Sequence, residues 1–185
     1  MKKLFIVAIT ALGFTFAAQA QDAATSTNGG QTAQGKWLIE ANTGFGGQAG
    51  TQAASTSFGL TSVDGNTSWN LGAEGGYFVA DDLAVKVGLG YGDNGSDGAG
   101  SSAFSYKIGA KYYIASMIPV QVDYTGASIK DFDENPSYLG LQGGYAIFLG
   151  ENVSIEPGLR YNITMNDDYT EEDVFQFQIG FALHF

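Results

Sequence analysis

Eight ionisable side chains stand apart from the other charges of this chain of 185 residues. Glu40, Glu74, Asp123 and Glu156 are the acids; Lys86, Lys107, Lys111 and Arg160 are the bases. Each sits in a run where large apolar residues alternate with small or polar ones, and each falls on the small, polar phase. A period of two sends alternate side chains to opposite faces of a strand. The eight therefore share the faces that carry Gly, Ser, Asn and Gln, and their charges cancel. Charges taken out of water must be paired, so the chemistry on offer is an ion-pair network, not bond making or breaking.

The remaining reactive residues offer less. There is one His, His184, on the same polar phase near the chain terminus, with no Ser or Asp partner evident in register. It reads as a hydrogen-bonded rim residue, and no catalytic residue is assigned. The absence of Cys excludes a disulfide, a zinc–thiolate site and a thiol nucleophile. Asp93-Asn94-Gly95-Ser96-Asp97-Gly98 resembles a calcium loop only faintly. Gly95 takes a ligand position and Phe104 stands where the bidentate Glu should be, so a solvated turn is the simpler reading. Asp167, Asp168, Glu171, Glu172 and Asp173 form an acidic run that could gather divalent cations weakly, although a soluble charged loop needs no such role. No metal or cofactor is expected. With a net charge of −11, the chain lacks the basic surface that phosphate contacts require, so nucleic acid is not an expected partner.

The elements that position the eight charges are strands. Val174 to Phe185 shows the pattern most clearly: Phe175, Phe177, Ile179, Phe181, Leu183 and Phe185 alternate with Gln176, Gln178, Gly180, Ala182 and His184. Similar runs cover about 36–46, 68–78, 83–91, 103–113, 120–127, 137–149 and 153–165, which makes eight strands. A tilted membrane-spanning strand needs about 9–11 residues. Connections alternate short and long, and the long ones hold Asp64, Asp93, Asp97, Asp131, Asp133, Glu134 and the run from Asp167 to Asp173 against a single base, Lys130. No large apolar row contains a charge. A soluble sheet would wet one face with charged residues, whereas a wall between lipid and a narrow lumen explains both faces.

The first twenty residues follow other rules. Lys2 and Lys3 precede an apolar run from Leu4 to Phe16, and Ala18-Gln19-Ala20 follows, as in a cleaved secretory signal peptide. Without them the chain has 6 bases against 19 acids. Residues 21–35 read as a flexible periplasmic leader and 36–185 as one β-barrel domain. No later apolar run approaches the roughly 20 residues of a helical span, so a membrane crossing must be a closed barrel. The fold expected is an all-β, eight-stranded antiparallel up-and-down transmembrane barrel.

The signal peptide, the charged lumen set and the terminal F-Q-F-Q-I-G-F-A-L-H-F together resemble the OmpA/OmpX-type eight-stranded outer-membrane β-barrels. The resemblance extends over the mature chain and specifies architecture better than role. It implies the bacterial outer membrane as location, with outer-membrane lipids and lipopolysaccharide as surroundings. It also implies recognition by the barrel assembly machinery through Phe181, Leu183 and Phe185. No peptidoglycan-binding domain is expected, nor enzymatic activity, and the protein is expected to be a monomer. Its role on this reading is structural or surface-interacting, with at most a narrow gated pore. The alternatives are a small diffusion porin and a secreted soluble ligand-binding barrel, which would need an apolar interior.

Overall fold

A computed structural model of the protein describes residues 30–45, 58–63, 65–96, 98 and 101–185. The signal peptide, the first part of the leader, and Asp64 and Asp97 lie outside the described residues. The strands are β1 (Trp37–Phe45), β2 (Gly59–Val63), β3 (Asn66–Ala80), β4 (Leu83–Asp93), β5 (Ser102–Ile114), β6 (Ile118–Ile129), β7 (Ser137–Gly144), β8 (Ile147–Phe148), β9 (Val153–Thr164) and β10 (Val174–His184). They form one antiparallel sheet that closes on itself, because β1 pairs with β10 on one side and β3 on the other. Eight walls result, since β7 and β8 are two parts of one wall and β2 is an addition beside β3. Closure gives each wall a paired neighbour on both sides, the condition for a sheet in hydrocarbon, although β1 and β3 share only a short ladder.

Alternation decides which way each strand faces. On β4, Ala84, Lys86, Gly88 and Gly90 are buried inside while Val85, Val87, Leu89 and Tyr91 are exposed outside. The same phase holds on β10, with Gln176, Gln178, Gly180, Ala182 and His184 inside.

Four features depart from the simple pattern. First, the stretch at 47–67, which the sequence reads as lacking a regular period with a short strand extension open at Ser57–Leu60, contains a strand running further: β2 pairs with the start of β3, Gly59 opposite Asn70 through Val63 opposite Asn66. Second, the wall expected over 137–149 is interrupted at Tyr145-Ala146, opposite Pro157. The Tyr145 amide donates to the Pro157 carbonyl at 3.0 Å, but proline has no N–H with which to continue the ladder. The Ala146 amide turns away to the Met117 carbonyl, 2.7 Å distant. Third, the turn between β5 and β6 is tighter than expected. Ala115 and Ser116 take φ of 52° and 57°, the left-handed pair of a primed hairpin turn, and β6 already includes Pro119.

The fourth is a correction at the leader, which is not flexible to residue 35. From Gln31 to Lys36 the chain lies as a strap across the barrel end that carries the tight turns. The Asp82 amide donates to the Thr32 carbonyl (2.8 Å), Gly35 to Phe78 (2.9 Å), and Phe78 back to Lys36 (2.9 Å). Asp81 accepts from the Gln34 amide at 2.8 Å, and the Gln31 amide group donates to the Gly150 carbonyl. Small polar residues permit this because their backbone groups find partners at the end of β3 and on the turn that follows it. Behind the strap, Leu38, Phe78, Ala84, Tyr113, Ala146, Ala182 and Phe148 pack as an apolar floor.

Candidate functional site

All eight charges named from the sequence project into the lumen from β1, β3, β4, β5, β6 and β9, and each is at most 5% exposed. They are joined by ion pairs. Lys111 bridges Glu156 and Glu40, the latter at 2.6 Å. Lys86 bridges Glu40 (2.9 Å) and Glu74 (2.7 Å), and Lys107 binds Glu74 at 2.6 Å. Arg160 grips Asp123 through two nitrogens, at 2.6 and 2.7 Å, a bidentate fork that fixes orientation as well as charge. Lys111 of β5 spans the lumen to Glu156 of β9 and to Glu40 of β1, each three walls away, while Arg160 of β9 reaches Asp123 of β6 over β7, Lys86 of β4 reaches Glu40 of β1 over β3, and Lys107 of β5 reaches Glu74 of β3 over β4.

Uncharged residues that the charge pattern did not single out join these pairs into one network. Gln121 accepts from Lys86 at 2.9 Å and donates to Asp123 at 2.7 Å, so it links the lysine chain to the arginine fork. Thr125 donates to Asp123 at 2.8 Å, Asn162 accepts from Arg160 at 2.8 Å, and Tyr113 donates to Glu156 at 2.8 Å. Each lies on the inward phase of its own strand, the one signal by which the sequence could have offered it.

Small residues make room for the long ones. A β-carbon on Gly140 would lie 2.0 Å from Arg160 Nη2 and 2.7 Å from Asp123 Oδ1. One on Gly109 would lie 2.4 Å from both the Asp123 β-carbon and the Val122 carbonyl oxygen. The interior of an eight-stranded barrel is just wide enough for side chains to fill it, and glycine sets where the charged ones lie.

His184 does have a serine partner. Its Nε2 is 3.0 Å from Ser154 Oγ, and Ser154 donates to Glu156 at 2.9 Å. The pairing of Leu183 with Val153 brings Ser154 beside His184 on the lumen face, a register not readable from spacing alone. The ring packs among Phe78, Tyr113 and Phe148 and is fully buried. No substrate can reach it in this arrangement, which is that of a floor residue.

Two of the loop carboxylates, Asp93 and Asp173, are engaged in local hydrogen bonds. Asp93 Oδ1 accepts from the Gly95 amide at 2.8 Å, and Asn94 Oδ1 from the Ser96 amide at 3.0 Å. Asp173 accepts from Tyr161 and from the Thr164 amide, at 2.8 and 2.9 Å. Among the described residues no three His, Cys, Asp or Glu side chains gather as a metal site. Phe181, Leu183 and Phe185 point outward and are about half exposed.

The outer surface is the reverse of the lumen. Leu71, Leu89, Ile108, Leu159 and Phe175 are among many large apolar side chains left more than half exposed. Among the described residues, no strand turns a charge outward except at Asp93, the end of β4. Aromatic pairs lie toward both ends of the strands, Trp37 with Tyr77 at 5.0 Å and Trp69 with Tyr91 at 5.8 Å between ring centroids. Soluble monomers do not expose apolar surface on this scale; aromatic rims around an apolar belt are the mark of a barrel in lipid. In comparisons with solved structures, the N-terminal β-barrel domain of Pseudomonas aeruginosa OprF superposes with a TM-score of 0.53, at 16% identity over 82% of this chain and 98% of that one. The fold is that of an eight-stranded outer-membrane barrel. Neisserial surface protein A aligns at 15% identity (TM-score 0.48) over 82% of this barrel and 98% of its own chain. A de novo designed transmembrane β-barrel aligns at 14% (TM-score 0.47) over 82% and 97%. No family model and no curated protein sequence matches the barrel.

Proposed function

We propose that this chain is an integral protein of the bacterial outer membrane, exported by a cleaved signal peptide. On this reading it serves a structural or surface-interaction role, without enzymatic activity, and its lumen conducts at most through a narrow gate. The observation that carries the reading is the set of ion-pair braces that fills the lumen, Lys111 to Glu156 and Glu40 across it and Arg160 to Asp123 beside it. An open diffusion porin needs a water-filled channel, and these braces fill the space it would occupy. A soluble ligand-binding barrel needs its apolar face inside, the opposite of the faces found.

The test is planar-bilayer recording. Native protein should give rare, small conductance events, and Arg160→Ala should make them more frequent by removing one brace. Large, steady conductance in the native protein would support a diffusion porin instead, and silence in both forms would leave a purely structural or adhesive role. Membrane fractionation with heat-modifiable gel mobility checks the location.

Assembly belongs to the same proposal. Phe185 closes the row Phe181, Leu183, Phe185, exposed to lipid and to the assembly machinery alike. Its backbone pairs with Trp37 at 2.6 and 3.0 Å, bonds that any residue could make. Deleting the Phe185 side chain by Phe185→Ala should therefore lower the amount of assembled barrel more than the stability of barrel already folded. Normal outer-membrane levels of that variant would remove the assembly-signal reading. Lipopolysaccharide and the acidic run at 167–173 would meet at the outer rim, and a monomer suffices for every contact described.

A further inference from the structure

The wall is not equally strong all round. β4 and β5 pair along eleven residues each, from Leu83 opposite Tyr112 to Asp93 opposite Ser102. β1 and β3 pair over four, Trp37 opposite Tyr77 through Glu40 opposite Glu74. Beyond that point β3 turns its edge to β2. Among the described residues, a single backbone hydrogen bond ties β2 to β1, from the Phe58 amide to the Asn42 carbonyl at 3.1 Å.

The last pair of this short seam is two carboxylates. Glu40 and Glu74 lie directly opposite one another on the lumen face, where like charges push strands apart. Both are buried, so water does not screen them. Lys86 Nζ stands between them, 2.9 Å from Glu40 Oε2 and 2.7 Å from Glu74 Oε2. Its stem passes beside Gly76, whose missing side chain leaves it room. Lys111 joins Glu40 to Glu156, and Lys107 binds Glu74. Asn42 adds a weaker tie across the seam, donating to Glu74 at 3.3 Å.

We propose that Lys86 is the latch of the seam between β1 and β3, and that the wall parts there, with β2 following β3, when the latch is released. The strap's bonds to Phe78 and Asp82 and the Trp37–Tyr77 contact hold one end of this seam; at the other, the last of its four ladder pairs is a repelling one, and one ammonium that serves both acids keeps it closed. Elsewhere the ladder itself holds the wall, and loss of a lumen charge loosens side chains without parting strands. This device does not depend on whether the barrel conducts.

Hydrogen exchange of the protein in lipid vesicles tests it. Lys86→Met should speed exchange of the amides of Trp37–Glu40 and Glu74–Tyr77 by about a hundredfold, while β9 and β10 keep their protection. Arg160→Ala, which breaks a brace away from the seam, should leave the seam amides as in the native protein. The double variant Lys86→Met/Glu40→Gln is the decisive one. It leaves Glu74 with Lys107, Glu156 with Lys111 and Asp123 with Arg160, every acid with its own base, so most of the lost protection should return. If Lys86→Met fails to assemble, the double variant assembling with a protected seam supports the latch equally, and its failure overturns it. Exchange that rises evenly round the barrel, a seam that stays protected in Lys86→Met, or a double variant no better than the single would each overturn the latch.

Discussion

The two faces of any one strand differ more than any two strands do. Outside, β4 presents Val85, Val87, Leu89 and Tyr91 to lipid, where each side chain meets a fluid and its neighbours matter little. Inside, Lys86 has partners on β1, β3 and β6, and a change at one position is felt across the lumen. The outer face is defined by what it must not contain, namely charge. The inner face is defined by which residue meets which. Chemical class therefore governs substitutions outside, and individual geometry governs them inside.

Urea unfolding from lipid vesicles can break that comparison. The largest effect is expected inside, at Arg160→Ala, which strands Asp123 in a buried site; losing one partner of a buried pair costs about 3–5 kcal/mol. Next comes the outer face: Leu89→Arg, in the middle of the β4 row, should cost about 2–4 kcal/mol if it sits near the bilayer midplane. An arginine tolerated there would mean that the face does not meet lipid. Glycines sharpen the contrast at smaller scale. Gly109→Ala would drive a methyl group into Asp123 and the Val122 carbonyl, for about 1–3 kcal/mol of overpacking. At Gly75→Ala, on the outer face of β3, the methyl would meet nothing within 4 Å, and the change should stay within about 0.5 kcal/mol. Equal costs for the two glycines would show that the lumen is looser than its contacts imply.

Much of this was legible in the chain. Alternation in Val174–Phe185 and seven similar runs assigns every wall its inner and outer face, because a strand has only two sides. The balance of four acids and four bases follows from composition on one phase. The partners could not be read in the same way. Lys111 reaches Glu156 and Arg160 reaches Asp123 across strands far apart in sequence, and those pairings depend on barrel closure and on the room left by Gly109 and Gly140. Gln121 is invisible as a linker until β5, β6 and β4 stand side by side. β2 was legible only as a short strand extension at Ser57–Leu60, and its true extent of Gly59–Val63 was not, because the stretch around it has no clear period and a strand added to an edge needs none. The strap at Gln31–Lys36 looked like free chain because its residues are small and polar. Its order comes from partners on the β3–β4 turn and at Gly150, which the folded sheet brings beneath it. His184 found Ser154 for the same reason: periodicity is a property of one strand, whereas register is a property of two, and only the folded sheet supplies it.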